Sequence, residues 1–127
     1  MLQDFPIYSY LPARDVARAR RFYEDTLGLH ASEETAGGAT YRFAGGTACF
    51  LYPTPNAGTS KASQAFWQVH DIHAVKRALE ARGVVFEHYD LDDDDGAWDD
   101  GVFTGGGAKA AWFKDSEGNI LALIEPV

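Results

Sequence analysis

An α+β fold of two tandem βαβββ modules is what this chain of 127 residues predicts. Three observations carry that expectation. Two segments have helical apolar periodicity, each opened by an aspartate and closed by a glycine. Each is preceded by one short β-rich run and followed by several more. The two halves also align, Asp15-Val16 with Asp71-Ile72 and "LGL" at Leu27 with "ARGV" at Gly83. A unit repeated in this way buries its sheet face poorly alone, so the halves are expected to pack as a single domain. The first module is expected over residues 5–53, a linker over 54–63 and the second module over 64–127.

The elements follow in order. "FPIYSYL", Phe5 to Leu11, reads as the first strand. In "ARDVARARRFYEDTLGL", Val16, Ala19, Phe22, Tyr23 and Leu27 recur at helical spacing. Asp15 can cap this helix by accepting orphan backbone N–H groups, and Gly28 can stop it by adopting positive φ. "TYRFAGGTACFLYP" reads as a hairpin around Gly45-Gly46, and "TPNAGTSKAS" is a linker by composition. The second half opens with the strand "QAFWQV". The helix "DIHAVKRALEARGV" follows, with Asp71 as cap, Ile72, Val75 and Leu79 on one face, and Gly83 as stop. "VVFEHY" reads as a strand and "DLDDDDGAWDDG" as a polar, acidic loop. "FTGGGAK" reads as a flexible hairpin connection, without the G-K-[ST] ending and helix of a phosphate loop. "KAAWFKD" and "NILALIEP" close the chain as a hairpin joined by "DSEGN".

Composition excludes several classes of function. The net charge of −8 and pI near 4.8 argue against nucleic acid, whose phosphates need a basic footprint, and against an anionic membrane surface. The one cysteine, Cys49, lies in an apolar run and cannot form an intrachain disulfide, which suits a reducing cytoplasm. The N-terminus lacks the basic start and long apolar run of a signal peptide. No apolar stretch nears the ~20 residues of a membrane span.

The segments "ARDVARARRFYEDTLGL", "VHDIHAVKRALEARGVVF" and "AAWFKDSEGNILALIE" give the chain a resemblance to the vicinal oxygen chelate superfamily. That superfamily holds glyoxalase I, extradiol dioxygenases, fosfomycin-resistance enzymes and bleomycin-resistance proteins. The likeness spans the whole chain. Its D-x-x-x-A-x-x-FY-x-x-x-LG signature speaks for the fold and not for one activity. The resemblance implies two curved sheets forming a cleft, and, in metal-dependent members, metal ligands on the first and last strands of each half. Here those positions fall on Tyr8, Tyr52, Gln64 and Ala122. Divalent first-row metals favour imidazole, thiolate or carboxylate donors. Glutamine serves in some glyoxalases, a neutral tyrosine is a poor donor, and alanine offers nothing. Metal and cofactor are therefore both expected to be absent. Glu125 lies an odd number of residues beyond Ala122, which puts it on the opposite strand face. His30, His70, His73 and His88 show no convergent spacing.

Strand parity then suggests what lines the expected cleft. Tyr8 goes with Tyr10, Tyr52 with Phe50, and Gln64 with Phe66 and Gln68. Ala122 goes with Ile120 and Ile124, and Trp112 is expected beside it, in preference to Phe113. An apolar, aromatic surface with a few polar tips is the usual make-up of a small-molecule site. The same residues in a filled core are the competing reading. Tyr8, Tyr52 and Gln64 weigh against it, because each needs a hydrogen-bond partner. In the acidic loop, Asp92 to Asp95 with Asp99 and Asp100 read as a solvated run rather than a binding lip, with Trp98 as a candidate stacking lid. The ligand-contact set is Tyr8, Tyr10, Phe50, Tyr52, Gln64, Phe66, Trp98, Trp112 and Ala122.

The function expected is metal-independent binding of an aromatic or cationic small molecule, resembling the bleomycin-resistance branch. That resemblance also implies a homodimer. The alternative is a glyoxalase-like lyase or isomerase, metal-dependent with shifted ligands, or cofactor-free with Tyr8 or Tyr52 as general acid. A third reading is a binding or regulatory subunit whose partner is another protein.

Overall fold

The computed structural model describes residues 1–91 and 96–127, so Asp92 to Asp95 of the acidic run lie outside the described residues. The chain divides into two compact units, residues 1–60 with 116–119, and residues 61–115 with 120–127.

In the first unit, β1 (Ser9–Ala13), β2 (Ala31–Thr35), β3 (Gly38–Arg42) and β4 (Ala48–Pro53) form a sheet in the order β1-β4-β3-β2. β1 runs parallel to β4, and the other pairs are antiparallel. The helix between β1 and β2 begins at Asp15, whose carboxylate accepts the Arg18 N–H at 3.0 Å. α1 (Val16–Arg20) is shorter than the periodicity predicts. It widens into a π-helical stretch, Arg21–Thr26, where the Leu27 N–H reaches back five residues to the Phe22 carbonyl at 2.9 Å. Gly28 ends it at φ 77°. Leu11, Ala13, Ala39, Tyr41 and Leu51 share one sheet face and are buried with Ala19 and Tyr23, whose ring lies 5.8 Å from that of Tyr41.

The first strand differs from expectation. It starts at Ser9 rather than Phe5, so Tyr8 precedes it. Pro6 has no N–H to give a ladder, Leu2–Asp4 form a 3-10 turn, and pairing with β4 begins only at Ser9 opposite Cys49.

The second unit holds β5 (Ala65–Gln68), α2 (Ile72–Ala81), β6 (Phe86–Glu87), β7 (Ala97–Asp99), β8 (Val102–Gly105), β9 (Ala108–Lys114) and β10 (Ile120–Pro126). The order β5-β10-β9-β6 repeats that of the first unit, with β5 parallel to β10. α2 is capped as expected, the Asp71 carboxylate accepting the Ala74 N–H at 3.1 Å. Ile72, Val102, Ala111 and Leu123 form a buried core against which Trp67, Val75, Leu79 and Phe86 pack.

Two expectations for this half change. The strand read over "VVFEHY" is only two residues long. The Val84 N–H is held by the Leu79 carbonyl at the helix exit, and β6 meets β9 only at Trp112 and Phe113. The loop "DLDDDDGAWDDG" contains a strand. β7 and β8 form an extra hairpin, absent from the first unit, that pairs with β9 at Ala108 to Ala110. Trp98 therefore stands on a strand and is not a loop residue. β8 and β9 are joined by Gly106-Gly107, the hairpin connection expected from "FTGGGAK".

Candidate functional site

The α2 side of the second sheet is occupied by core. Its other face carries the candidate residues, placed by cross-strand register. One row runs Phe66–Ala122–Trp112–Glu87 across β5, β10, β9 and β6. The next runs Gln68–Ile124–Ala110–Phe103–Trp98 out to β7. Residues directly opposite in a sheet project on the same side, so these nine share one face. The rings meet accordingly: Trp98 lies 5.3 Å from Phe103 and 6.0 Å from Trp112, and Phe103 lies 6.5 Å from Trp112. His88 stacks obliquely on Trp98 at 4.2 Å. Tyr89 meets Trp112 edge-on at 5.7 Å and 73°. Ala122 is buried, Phe66 is 61% exposed, and Trp98 and Trp112 are half-buried. Gln64 precedes β5 and anchors it, its backbone N–H reaching the Ile120 carbonyl at 2.9 Å.

The first unit has an aromatic face of its own. Tyr10, Phe50, Thr40 and Glu33 form one cross-strand row, and Pro12 and Tyr52 part of the next. The Tyr10 ring lies 4.6 Å from Tyr52 and 6.4 Å from Phe50. Arg42 continues this face. Its guanidinium pairs with Glu33 at 2.8 Å, donates to the Tyr8 hydroxyl at 3.2 Å and lies 5.8 Å from the Tyr8 ring centre. Tyr8 therefore joins the face through Arg42 and not through strand parity. Tyr10 remains 62% exposed.

Sequence reasoning missed Arg42, Phe103 and Tyr89. Arg42 was accessible to it, since it stands two residues from Thr40 on β3. Phe103 and Tyr89 were not, because they depend on the β7–β8 hairpin and on where β6 ends.

The chain belongs to the Glyoxalase/Bleomycin resistance protein/Dioxygenase superfamily, whose family model matches residues 7–123. Solved structures support the same fold. TnmS3, an antibiotic binding protein from Streptomyces sp. CB03234, is 19% identical with a TM-score of 0.69, over 97% of this chain and 98% of that one. A lactoylglutathione lyase from Agrobacterium tumefaciens is 18% identical with a TM-score of 0.67, over 95% and 92%. Virulence protein STM3117 from Salmonella typhimurium is 19% identical with a TM-score of 0.70, over the full length of both chains. A search of curated protein sequences returns no match.

A metal of the kind that the resemblance implies would need donor side chains at Tyr8, Tyr52, Gln64 and Ala122. The four positions named above carry two tyrosines, a glutamine and an alanine. Among the described residues, no three of His, Cys, Asp and Glu come together. His30, His70 and His88 are exposed, and His73 is half-buried in the first turn of α2. Glu125 lies on the α2 side, where it accepts the Ile72 N–H at 2.9 Å and faces Lys109 at 3.7 Å. Among the described residues, these positions do not supply the imidazole, thiolate or carboxylate donors that divalent first-row metals favour. Burial pushes the Cys49 thiol up, away from the thiolate form that would bind metal or attack an electrophile. Among the described residues, no helix is long and apolar enough to cross a membrane.

Proposed function

We propose that this protein is a metal-independent small-molecule-binding member of its superfamily, of the bleomycin-resistance type, which sequesters an aromatic or cationic ligand without transforming it. One observation carries the reading. At the position where the resemblance implies a ligating carboxylate, this chain has Ala122, flanked on its own sheet face by Phe66 and Trp112. A methyl group between two aromatic side chains offers no donor to a metal and leaves flat apolar surface on either side. Aromatic contacts of this sort contribute about 0.5–1.5 kcal/mol each, and a cation over a ring a similar amount. The antibiotic-binding function in the name of TnmS3 agrees with the reading. On the second unit the contact residues are Gln64, Phe66, Trp98, Trp112 and Ala122. On the first they are Tyr8, Tyr10, Phe50 and Tyr52. The reading includes a homodimer in a reducing cytoplasm, the latter consistent with the lone Cys49.

The test is a fluorescence titration with a panel of cationic aromatic compounds, read by quenching of Trp67, Trp98 and Trp112, with and without EDTA. Saturable quenching indifferent to EDTA is expected. Affinity unchanged on replacing Trp112 by alanine would exclude the second unit's face as a ligand-binding surface. Affinity unchanged by alanine at Tyr8 and Tyr52 together would exclude the first unit's face in the same way. Binding that requires added zinc or nickel would move the protein to the glyoxalase-like class.

A further inference from the structure

Tyr89 lies just beyond β6, on the side of the sheet that holds Trp112. Its hydroxyl oxygen is shielded from solvent, and among the described residues it has no hydrogen-bond partner. A shielded hydroxyl without a partner is disfavoured, and most such groups are completed by protein, water or ligand. Its surroundings supply the other half of a binding site. Trp112 presents its ring to Tyr89 at 5.7 Å, and Trp98 and Phe103 extend the same wall onto the β7–β8 hairpin. That hairpin is extra to the βαβββ pattern, so the first unit has no counterpart to this corner.

We propose that Tyr89 is the polar anchor of the ligand site: its hydroxyl donates a hydrogen bond to a neutral acceptor, a carbonyl oxygen, on the edge of a planar aromatic ligand lying against Trp112. This rests on the binding reading above and sharpens it to a ligand class. Burial first, and the Glu87 carboxylate second, push the Tyr89 phenol up, so it stays a protonated donor at neutral pH. Glu87 stands directly opposite Trp112 in the sheet, and the chain carries a net charge of −8. Lys114 faces Glu87 at 3.9 Å and offsets part of its charge, so the preference for a neutral carbonyl over a carboxylate rests on Glu87 together with the chain's net negative charge.

The probes are 9-fluorenone and fluorene, two flat tricycles of the same outline that differ in one carbonyl group. Binding to the full chain is followed by tryptophan quenching, for the natural protein and for Tyr89→Phe. Fluorenone is expected to bind about tenfold more tightly than fluorene, and Tyr89→Phe to erase that difference while leaving fluorene unchanged. The free Tyr89→Phe protein is expected to melt at the same temperature as the natural one or higher, because it loses a hydroxyl that lacked a partner. Equal binding of the two tricycles overturns the anchor and leaves the binding reading standing. Binding of neither overturns both. A melting temperature lowered by several degrees in Tyr89→Phe means that the hydroxyl is held within the protein, and that also overturns the anchor.

Discussion

Arg18 grips Glu117 with both arms of its guanidinium, Nε to Oε2 at 2.8 Å and Nη2 to Oε1 at 2.9 Å. The same Oε1 accepts the backbone N–H groups of Arg14 and Asp15 at 2.9 Å each, just ahead of α1. Glu117 belongs to the β9–β10 turn, and its side chain is fully buried. The Arg18 contact, with the Asp15 N–H and the Ser116 hydroxyl, holds its carboxyl at about 2, against an ordinary value of 4.5. A carboxyl depressed on folding contributes stability that is complete above its unfolded value and lost as pH falls toward its folded one.

Acid therefore weakens this fold between about pH 4.5 and pH 2, by on the order of 3 kcal/mol from Glu117 alone. Glu24, lowered by Arg20 and by the Tyr41 hydroxyl, contributes in the same direction. Glu117→Gln is expected to cost about 2 kcal/mol at pH 7 and much less at pH 2.5. Urea unfolding at the two pH values measures this. An equal cost at both would mean that the charge of Glu117 does not contribute.

The turn's seat is equally specific. The Asn119 amide donates to the Pro12 carbonyl at 2.7 Å, and its oxygen accepts the Gly58 N–H at 3.3 Å. Gly58 has φ 75°, and a Cβ there would run into the Glu117 carbonyl oxygen. Gly46 has a similar φ of 81° with open space around it. Gly58→Ala is expected to destabilise by about 2–4 kcal/mol, from backbone conformation and overpacking together, and Gly46→Ala by about 1 kcal/mol. Thermal unfolding of the two variants checks the order. Equal effects would leave the Glu117 contact without weight.

The two faces of the second sheet separate binding from stability. Phe113 is fully buried on the α2 side, stacked 6.2 Å from Trp67 and edge-on to Phe86 at 5.4 Å. Phe113→Ala is expected to cost about 3–5 kcal/mol. Phe66 projects to the other face and is mostly exposed. Phe66→Ala is expected to shift stability by about 0.5 kcal/mol or less and to weaken ligand binding severalfold. Paired chemical-denaturation and quenching titrations decide this. A large stability loss at Phe66 would make that face core.

Much of this was legible in the sequence, and the exceptions have physical causes. The caps Asp15 and Asp71 and the stops Gly28 and Gly83 act locally, so residue identity alone identified them. The shared face of Ala122, Ile120 and Ile124 follows from the period of two along a strand, whereas the choice of Trp112 over Phe113 depends on the register between β9 and β10. β-rich composition that continues through Pro6 puts Tyr8 on a strand by sequence, whereas pairing with β4 decides where β1 begins. β7 was hidden because Ala97–Asp99 sits among aspartates with little strand propensity and exists through its ladder with β8. The roles of Glu117 and Tyr89 depend on partners distant in sequence or on the absence of one, which no local pattern records.

Metal retention tests the central claim most directly. Protein purified without a histidine tag is incubated with zinc, nickel, manganese or iron(II), desalted, and assayed by elemental analysis. The account predicts far less than one ion per chain in every case, matching the tyrosines, glutamine and alanine at the positions that the resemblance assigns to metal ligands. One ion retained per chain would contradict it and make the protein a metal-dependent member of its superfamily.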